Sequence, residues 1–113
     1  MDEPAALAAF AALSQETRLK LVRLLVRAGP EGLAAGALGA ALGASSSRLS
    51  FHLTQLEQAG LVASRRDGRF VIYAAAFPAL AGLVDFLTRD CCQGHPEICG
   101  ARPAPFPCAQ GPT

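Results

Sequence analysis

The segment from residue 32 to residue 75, GLAAGALGAALGASSSRLSFHLTQLEQAGLVASRRDGRFVIYAA, constrains the fold of this chain more than any other part. Its first half predicts a short helix (about residues 33 to 41), a turn at Gly43 and a longer helix (about residues 46 to 59). Its second half predicts two strands joined by Asp67-Gly68, a dipeptide favoured in two-residue hairpin turns because both central positions take positive φ. A pair of helices followed directly by a hairpin is therefore expected.

Further helices are predicted on both sides of this segment. An alanine-rich helix is expected at about residues 4 to 12, and a second begins near Ser14 as its N-cap and ends at residues 28 to 30, AGP. This second helix is apolar on most sides, as a central helix would be. The last helix starts near Pro78 and has apolar residues at the spacing i, i+3, i+4, i+7, namely Leu80, Leu83, Val84 and Leu87.

Length and composition favour one small domain. The chain has 113 residues, of which 51% are hydrophobic and 17% charged, so it can bury a modest core, and a core of this size favours dimerisation. Asp2 and Glu3 make the start of the chain unlike a signal peptide, and no apolar run approaches the roughly 18 residues of a membrane helix. We therefore expect a cytoplasmic protein with no membrane partner.

The order of helix, helix, helix, helix, hairpin and helix is that of a winged helix-turn-helix. The arrangement SxxxxSxHLxxLxxAGLVxxRxxGRxxxY, from Ser45 to Tyr73, and the earlier stretch ALSQETRLKLVRLL resemble the ArsR/SmtB family of metal- and metalloid-responsive repressors. The resemblance covers about residues 5 to 90. It implies a mainly α fold with a small β-hairpin, a homodimer formed through the first and last helices, and binding to double-stranded operator DNA.

Charge confines any DNA contact to one strip of the chain. The net charge is only +1, but residues 45 to 69 hold four arginines against two acidic residues. A helix beginning at this serine run offers free N–H groups to phosphates, while Arg48 suits a guanine edge and Gln55 an adenine edge. The predicted DNA-binding residues are Ser45, Ser46, Ser47, Arg48, Ser50, His52, Gln55, Arg65, Arg66 and Arg69.

Each of these assignments has a structural alternative. Serine runs are often only caps and turns, and the arginines near the hairpin tip could form a solvated surface turn. For His52 we favour a role in holding its helix against neighbouring helices, whereas for Arg48 and Gln55 we favour DNA contact.

Cysteines supply the second constellation, at Cys91, Cys92, Cys99 and Cys108. In a reducing cytosol such thiols serve as metal ligands or redox groups more often than as disulfides. Catalysis is not expected, because the vicinal pair lies at a predicted helix C-terminus, where the dipole disfavours a thiolate, and it begins no C-x5-R phosphate-binding loop. We therefore predict that the protein is not an enzyme.

The family resemblance narrows the effector. Members often carry a CVC motif on the helix before the recognition helix, but the matching stretch here, GLAAGALGAAL, has no cysteine. Cys91, Cys92 and Cys99 instead resemble the arsenic-responsive branch, whose site lies at the end of the last helix. Three thiolates suit As(III), and also Sb(III). The implied organisation is a DNA-binding and dimerisation domain at residues 1–90 and an effector-binding, proline-rich tail at residues 91–113.

Other interpretations of the cysteines remain open at this point. Zinc or cadmium could be held in a tetrahedral site completed by His95. A thiol redox switch could pair Cys91 or Cys92 with Cys99 or Cys108, and Cys108 is otherwise a bystander or an auxiliary ligand. Cys91 taken alone could be a small buried apolar residue. A small thiol enzyme or metal-carrying protein that merely shares the fold is the alternative from another class.

Overall fold

The computed structural model of the chain describes residues 1–89. Its elements, in chain order, are α1 (Glu3–Leu13), α2 (Glu16–Ala28), β1 (Leu33–Ala34), α3 (Ala35–Leu42), α4 (Ser46–Gln58), β2 (Val62–Asp67), β3 (Phe70–Ala75) and α5 (Phe77–Thr88). The mainly helical fold class and the winged helix-turn-helix order are confirmed. None of the helices within residues 1–89 is long and apolar enough to cross a membrane.

The first two helices are separated by a capped turn. Gln15 has an extended backbone, and its side-chain Oε1 accepts a hydrogen bond of 2.9 Å from the N–H of Arg18, so Gln15 caps α2. The predicted N-cap, Ser14, is instead the C-cap of α1, where its N–H donates to the carbonyl of Phe10. The prediction was one residue early: the Ser14 hydroxyl donates to the carbonyl of Ala11 in α1, and Gln15 provides the cap of α2.

Leucines from several helices make the core. The largest fully buried side chains are Leu21, Leu25, Leu38, Leu53, Leu56 and Leu61. The fully buried residues of α1 are all alanines, which lets the helix lie close to its neighbours. The expectation that α2 is apolar on most sides holds for composition but not for burial, since Leu19 and Val26 are 47% and 42% exposed. One side of α2 therefore faces away from the core.

Three strands, not two, form the sheet, and β3 lies in the centre in the order β1-β3-β2. The predicted short helix at residues 33 to 41 was too long at its N-terminus, because Leu33 and Ala34 pair antiparallel with Tyr73 and Ile72. Two residues are too few for a strand to leave a periodic signal in the sequence. Only the partner strand decides their conformation.

The hairpin turn lies one residue later than predicted. Asp67 pairs with Phe70, which leaves Gly68 and Arg69 as the two loop residues. Gly68 has φ +63°, and no residue other than glycine has a positive φ in the described chain. A positive φ at the first loop residue alone is typical of a type II′ turn, in which glycine takes that place. The prediction of positive φ at both Asp67 and Gly68 was wrong for this reason.

Large apolar side chains remain exposed on α1 and α5, two helices that pack against each other. Leu7 and Leu87 are 63% and 61% exposed, and Phe10 and Val84 are 38% and 40% exposed. Of the predicted stripe on α5, Leu83 is buried in the core and Leu80 is half-buried against it. The stripe is thus divided between the core and the protein surface. We call the exposed residues Leu7, Phe10, Val84 and Leu87 the α1/α5 face.

Two glycines provide a matched test of the close approach of the chain before β1 to β3. At Gly32, which has φ +74°, an added Cβ would lie 2.2 Å from the carbonyl oxygen of Tyr73. We expect Gly32→Ala to lower the free energy of unfolding by about 2 kcal/mol or more, through strain and loss of the β1–β3 approach. A Cβ at Gly36, inside α3, would meet nothing within 4 Å. Gly36→Ala should therefore raise that free energy by about 0.5–1 kcal/mol.

Urea unfolding followed by circular dichroism measures both changes. Equal effects of the two substitutions would contradict the close approach of residue 32 to β3.

Candidate nucleic-acid interface

Helix α4 begins at an exposed serine cluster. The Ser45 hydroxyl accepts a hydrogen bond of 3.3 Å from the N–H of Arg48, so Ser45 is the N-cap of the helix. Ser46 and Ser47, in the first turn, are exposed. An exposed helix N-terminus presents free N–H groups and a positive dipole end, both suited to a phosphate. The cap role of Ser45 agrees with the structural alternative for the serine run, while the exposure of the next two leaves them available to DNA.

Burial divides α4 into two faces. Leu49, Leu53 and Leu56 are buried, and a rotation of about 100° per residue places Ser47, Phe51 and Thr54 on the opposite side. These three are exposed, and Phe51 is 57% exposed. We call Ser47, Phe51 and Thr54 the outer face of α4. Phe51 and Thr54 were not among the predicted DNA-binding residues, although their spacing of four and seven residues from Ser47 could have indicated them.

The predicted base-reading residues lie on the flanks of this outer face. Arg48 and Ser50 are exposed on opposite flanks. Gln55 is half-buried beside a cleft between α4 and α1, where Ala8 and Ala12 are its neighbours. Arg48 is therefore placed freely for DNA contact, whereas Gln55 is turned partly toward α1.

His52 is bound into the protein interior. It is 7% exposed, and its Nδ1 lies 3.2 Å from Nη1 of Arg18. The same guanidinium donates through Nε to the carbonyl of Ala12, at 2.7 Å. Since an arginine can only donate, Nδ1 must accept, and the His52 proton lies on Nε2. This geometry supports the structural role favoured for His52, which links α4 through Arg18 to the end of α1.

The surroundings of His52 lower its pKa. Burial is the largest cause, and the nearby positive charges of Arg18 and Arg48 act in the same direction. The neutral imidazole is therefore the form that the native structure holds.

The hairpin of β2 and β3 forms the wing. Its two adjacent arginines, Arg65 and Arg66, lie on opposite faces of the sheet. The Ser64 hydroxyl donates to the Glu57 carboxylate of α4 at 2.9 Å, and strand alternation places Arg66 on that same face of the sheet. Arg65 is on the other face and donates to the carbonyl of Glu31 at 2.8 Å. Arg69 is exposed in the hairpin turn. Arg66 therefore lies on the side of the wing that faces α4, while Arg65 is hydrogen-bonded to the segment before β1.

The predicted effector residues lie outside the described part of the chain. This holds for Cys91, Cys92, Cys99 and Cys108 and for His95. Among residues 1–89, no three side chains of histidine, cysteine, aspartate or glutamate come together as a metal site. The assignment of these thiols as ligands therefore stays a prediction.

Comparisons with known proteins agree with this geometry. A helix-turn-helix domain model matches residues 13–65. Two relatives are 40% identical over 75 residues, 66% of this chain: a protein of Streptomyces lividans named as a mercury resistance operon repressor and one of Halobacterium salinarum named as an arsenical resistance operon repressor. The aligned region spans less than two thirds of these relatives, 58% and 57% of their lengths.

Solved structures extend the match beyond that domain. An ArsR-like transcriptional regulator from Rhodococcus sp. RHA1 superimposes with a TM-score of 0.70 at 28% identity, covering 87% of this chain and 90% of the other. A solved structure described as a possible transcriptional regulator for arsenical resistance is 34% identical over 72% of this chain and 81% of its own, with a TM-score of 0.61. This chain belongs to the ArsR family of helix-turn-helix transcriptional regulators. The homodimeric winged helix-turn-helix domain of Mb0332 from Mycobacterium bovis is also similar, with a TM-score of 0.62 at 27% identity over 81% of this chain and 85% of that domain.

Acidification tests the buried histidine. The pKa of His52 is lower in the folded state than its ordinary value of 6.5, so the unfolded chain binds more protons below about pH 6.5. We expect the free energy of unfolding to fall as the pH is lowered from 7.5 through that region toward the folded pKa. His52→Gln, which keeps an acceptor for Arg18, should lose this part of the pH dependence. Urea unfolding at several pH values measures it.

The other histidine of the chain, His95, is the matched control. His95→Gln should retain the pH dependence of the natural protein. If that variant lost it and His52→Gln kept it, the destabilising proton would be assigned to the wrong residue.

Removal of the Arg48 side chain tests whether α4 contacts DNA. We expect Arg48→Ala to weaken DNA binding by about 1–3 kcal/mol if the guanidinium contacts a base, and to lower the salt dependence of binding by about one charge if it contacts a phosphate. Fluorescence anisotropy at several salt concentrations separates the two. Arg89→Ala, at the exposed end of α5, is the control and should leave binding unchanged. Unchanged DNA affinity of Arg48→Ala would refute its role.

Proposed function

We propose that this protein is a cytoplasmic, arsenic(III)-responsive transcriptional repressor. It binds operator DNA as a homodimer and releases it when As(III), or Sb(III), binds Cys91, Cys92 and Cys99. The observation that carries the proposal is the position of the vicinal cysteine pair in the sequence, which begins three residues after the end of α5 at Thr88. That helix packs on α1 and carries half of the α1/α5 face.

The DNA-reading half of the proposal is supported by the polar face of α4 and the wing. The outer face of α4 enters a major groove, with its N-terminal serines and Arg48 nearest the DNA. Arg66, on the α4 side of the sheet, and Arg69, in the turn, follow the neighbouring phosphates or minor groove. The operator is expected to be near-palindromic, because two identical reading helices meet two equal half-sites.

The homodimer is supported by the α1/α5 face. Leu7, Phe10, Val84 and Leu87 expose apolar surface that a second copy would cover. Burial of each such side chain contributes roughly 1.5–3 kcal/mol when complete. A two-fold axis through this face sets the distance between the reading helices, which must be about 34 Å for successive major grooves.

This arrangement gives effector binding a direct route to DNA affinity. A ligand bound by cysteines that follow α5 in the sequence would act on the helix that carries half of the α1/α5 face, so it can change the relative position of the two reading helices. It need only favour the arrangement that does not fit DNA. A coupling of about 1–3 kcal/mol corresponds to a roughly 5- to 150-fold loss of affinity.

Thiolate softness supports As(III) over harder ions. Three sulfur ligands without an oxygen donor suit a three-coordinate soft ion, and two of the three are supplied by adjacent residues of the chain. The mercuric ion is the second candidate, because it is also soft and one 40% identical relative is named for mercury resistance. Zinc or cadmium with His95, and oxidation of the thiols, are the remaining alternatives.

The test is anisotropy of the reduced protein on labelled DNA from upstream of its own gene, titrated with As(III). We expect release near one equivalent per subunit, with zinc inert in a parallel titration. Cys91→Ser, Cys92→Ser or Cys99→Ser should abolish release while leaving DNA affinity unchanged. Cys108→Ser is the matched control and should respond as the natural protein does.

Three results would change this assignment. Tight DNA binding that As(III) leaves untouched, but that mercuric ion, zinc, cadmium or an oxidant reverses, would move the effector to that agent. Loss of DNA binding in the serine variants would contradict the separation of sensor from reader. No binding to any DNA would sink the repressor itself and favour a thiol or metal-carrying role.

A further inference from the structure

The outer face of α4 contains one large apolar side chain among small polar ones. Phe51 is 57% exposed, and its neighbours on the outer face are Ser47, four residues before it, and Thr54, three residues after it. A phenylalanine ring in this position gains nothing from water and can form no hydrogen bond to a polar ligand. The ring is therefore complementary to an apolar group on the molecule that binds the outer face of α4.

The ring of Phe51 packs against the ring of its neighbour His52. The two rings are in a T-shaped arrangement, with 5.4 Å between centroids. His52 is itself fixed by Arg18. The orientation of Phe51 is therefore coupled to the buried face of the helix, and its exposed side is presented outward from the middle of α4.

The major groove of DNA offers one apolar group, the C5-methyl of thymine. The other base edges in that groove present hydrogen-bond donors or acceptors, and phosphates are charged. An apolar side chain on a helix in this groove therefore discriminates thymine from the other bases by burying the methyl.

We propose that Phe51 is a specificity-determining residue that reads the methyl group of a thymine in each operator half-site. This inference rests on the proposed DNA-binding function and adds to it a predicted base. It also assigns the residues of α4 different tasks. Ser46 and Ser47 meet phosphate, Arg48 offers its guanidinium to a base edge or phosphate, and Phe51 recognises thymine.

The experiment begins with DNA selected by the natural protein from a randomised duplex library. Each thymine of one half-site is then replaced in turn by deoxyuridine, which removes only the methyl group and keeps every hydrogen-bonding edge. Affinity is measured by anisotropy at fixed salt. We expect one position at which the replacement weakens binding by about 3- to 10-fold, the size expected for one buried methyl with its packing.

Variants connect that position to the side chain. Phe51→Ala should bind the thymine duplex more weakly and should bind the thymine and deoxyuridine duplexes equally at that position. Phe51→Leu, which keeps an apolar side chain, should retain part of the discrimination. Phe70→Ala is the matched control, because Phe70 is 63% exposed but lies on β3 of the wing. It should keep the full thymine preference.

Far-ultraviolet circular dichroism of each variant verifies folding before the affinities are compared. The inference is overturned if no thymine of the selected DNA is sensitive to deoxyuridine, or if Phe51→Ala keeps the same preference as the natural protein. A protein that enriches no DNA sequence would overturn the repressor function as well. DNA binding without methyl discrimination would overturn this inference alone.

Discussion

Burial of one leucine face of α4 is the constraint on which the rest of this structure depends. Leu49, Leu53 and Leu56 are almost completely removed from water, and each contributes roughly 1.5–3 kcal/mol to keeping the helix in one rotation about its axis. The rotation of the helix decides which side chains it exposes. Because the three leucines must face the core, the serines, Arg48 and the ring of Phe51 face solvent.

The Arg18 side chain extends this constraint to the first helix. It spans from the carbonyl of Ala12 at the end of α1 to the imidazole of His52, so one guanidinium joins α1 to α4. Both acceptors are well placed, and the lowered pKa of His52 keeps the imidazole in the neutral form that can accept. The end of α1 and α4 are therefore joined by a short polar contact as well as by packing.

Strand alternation gives the two adjacent arginines of the wing different surroundings. Arg65 donates to the carbonyl of Glu31, whereas Arg66 lies on the face of the sheet toward α4. Reading the three wing arginines as one basic tip missed this difference. Likewise, β1 was invisible to pattern analysis because two residues carry no period, and the glycine of the hairpin was assigned to the wrong loop position by one residue.

The sequence by itself determined the order of elements, the mainly helical class and the resemblance to the ArsR family, because local periodicity, turn residues and motif spacing encode these. It also identified Arg48 as a candidate for DNA contact on α4. Only the tertiary structure decided that His52 is held by Arg18, that Gln55 leans toward α1, that Arg65 is occupied and that Phe51 stands on the outer face. Such assignments depend on which surfaces meet across the core, and contacts between distant parts of a chain leave no spacing that can be read along it.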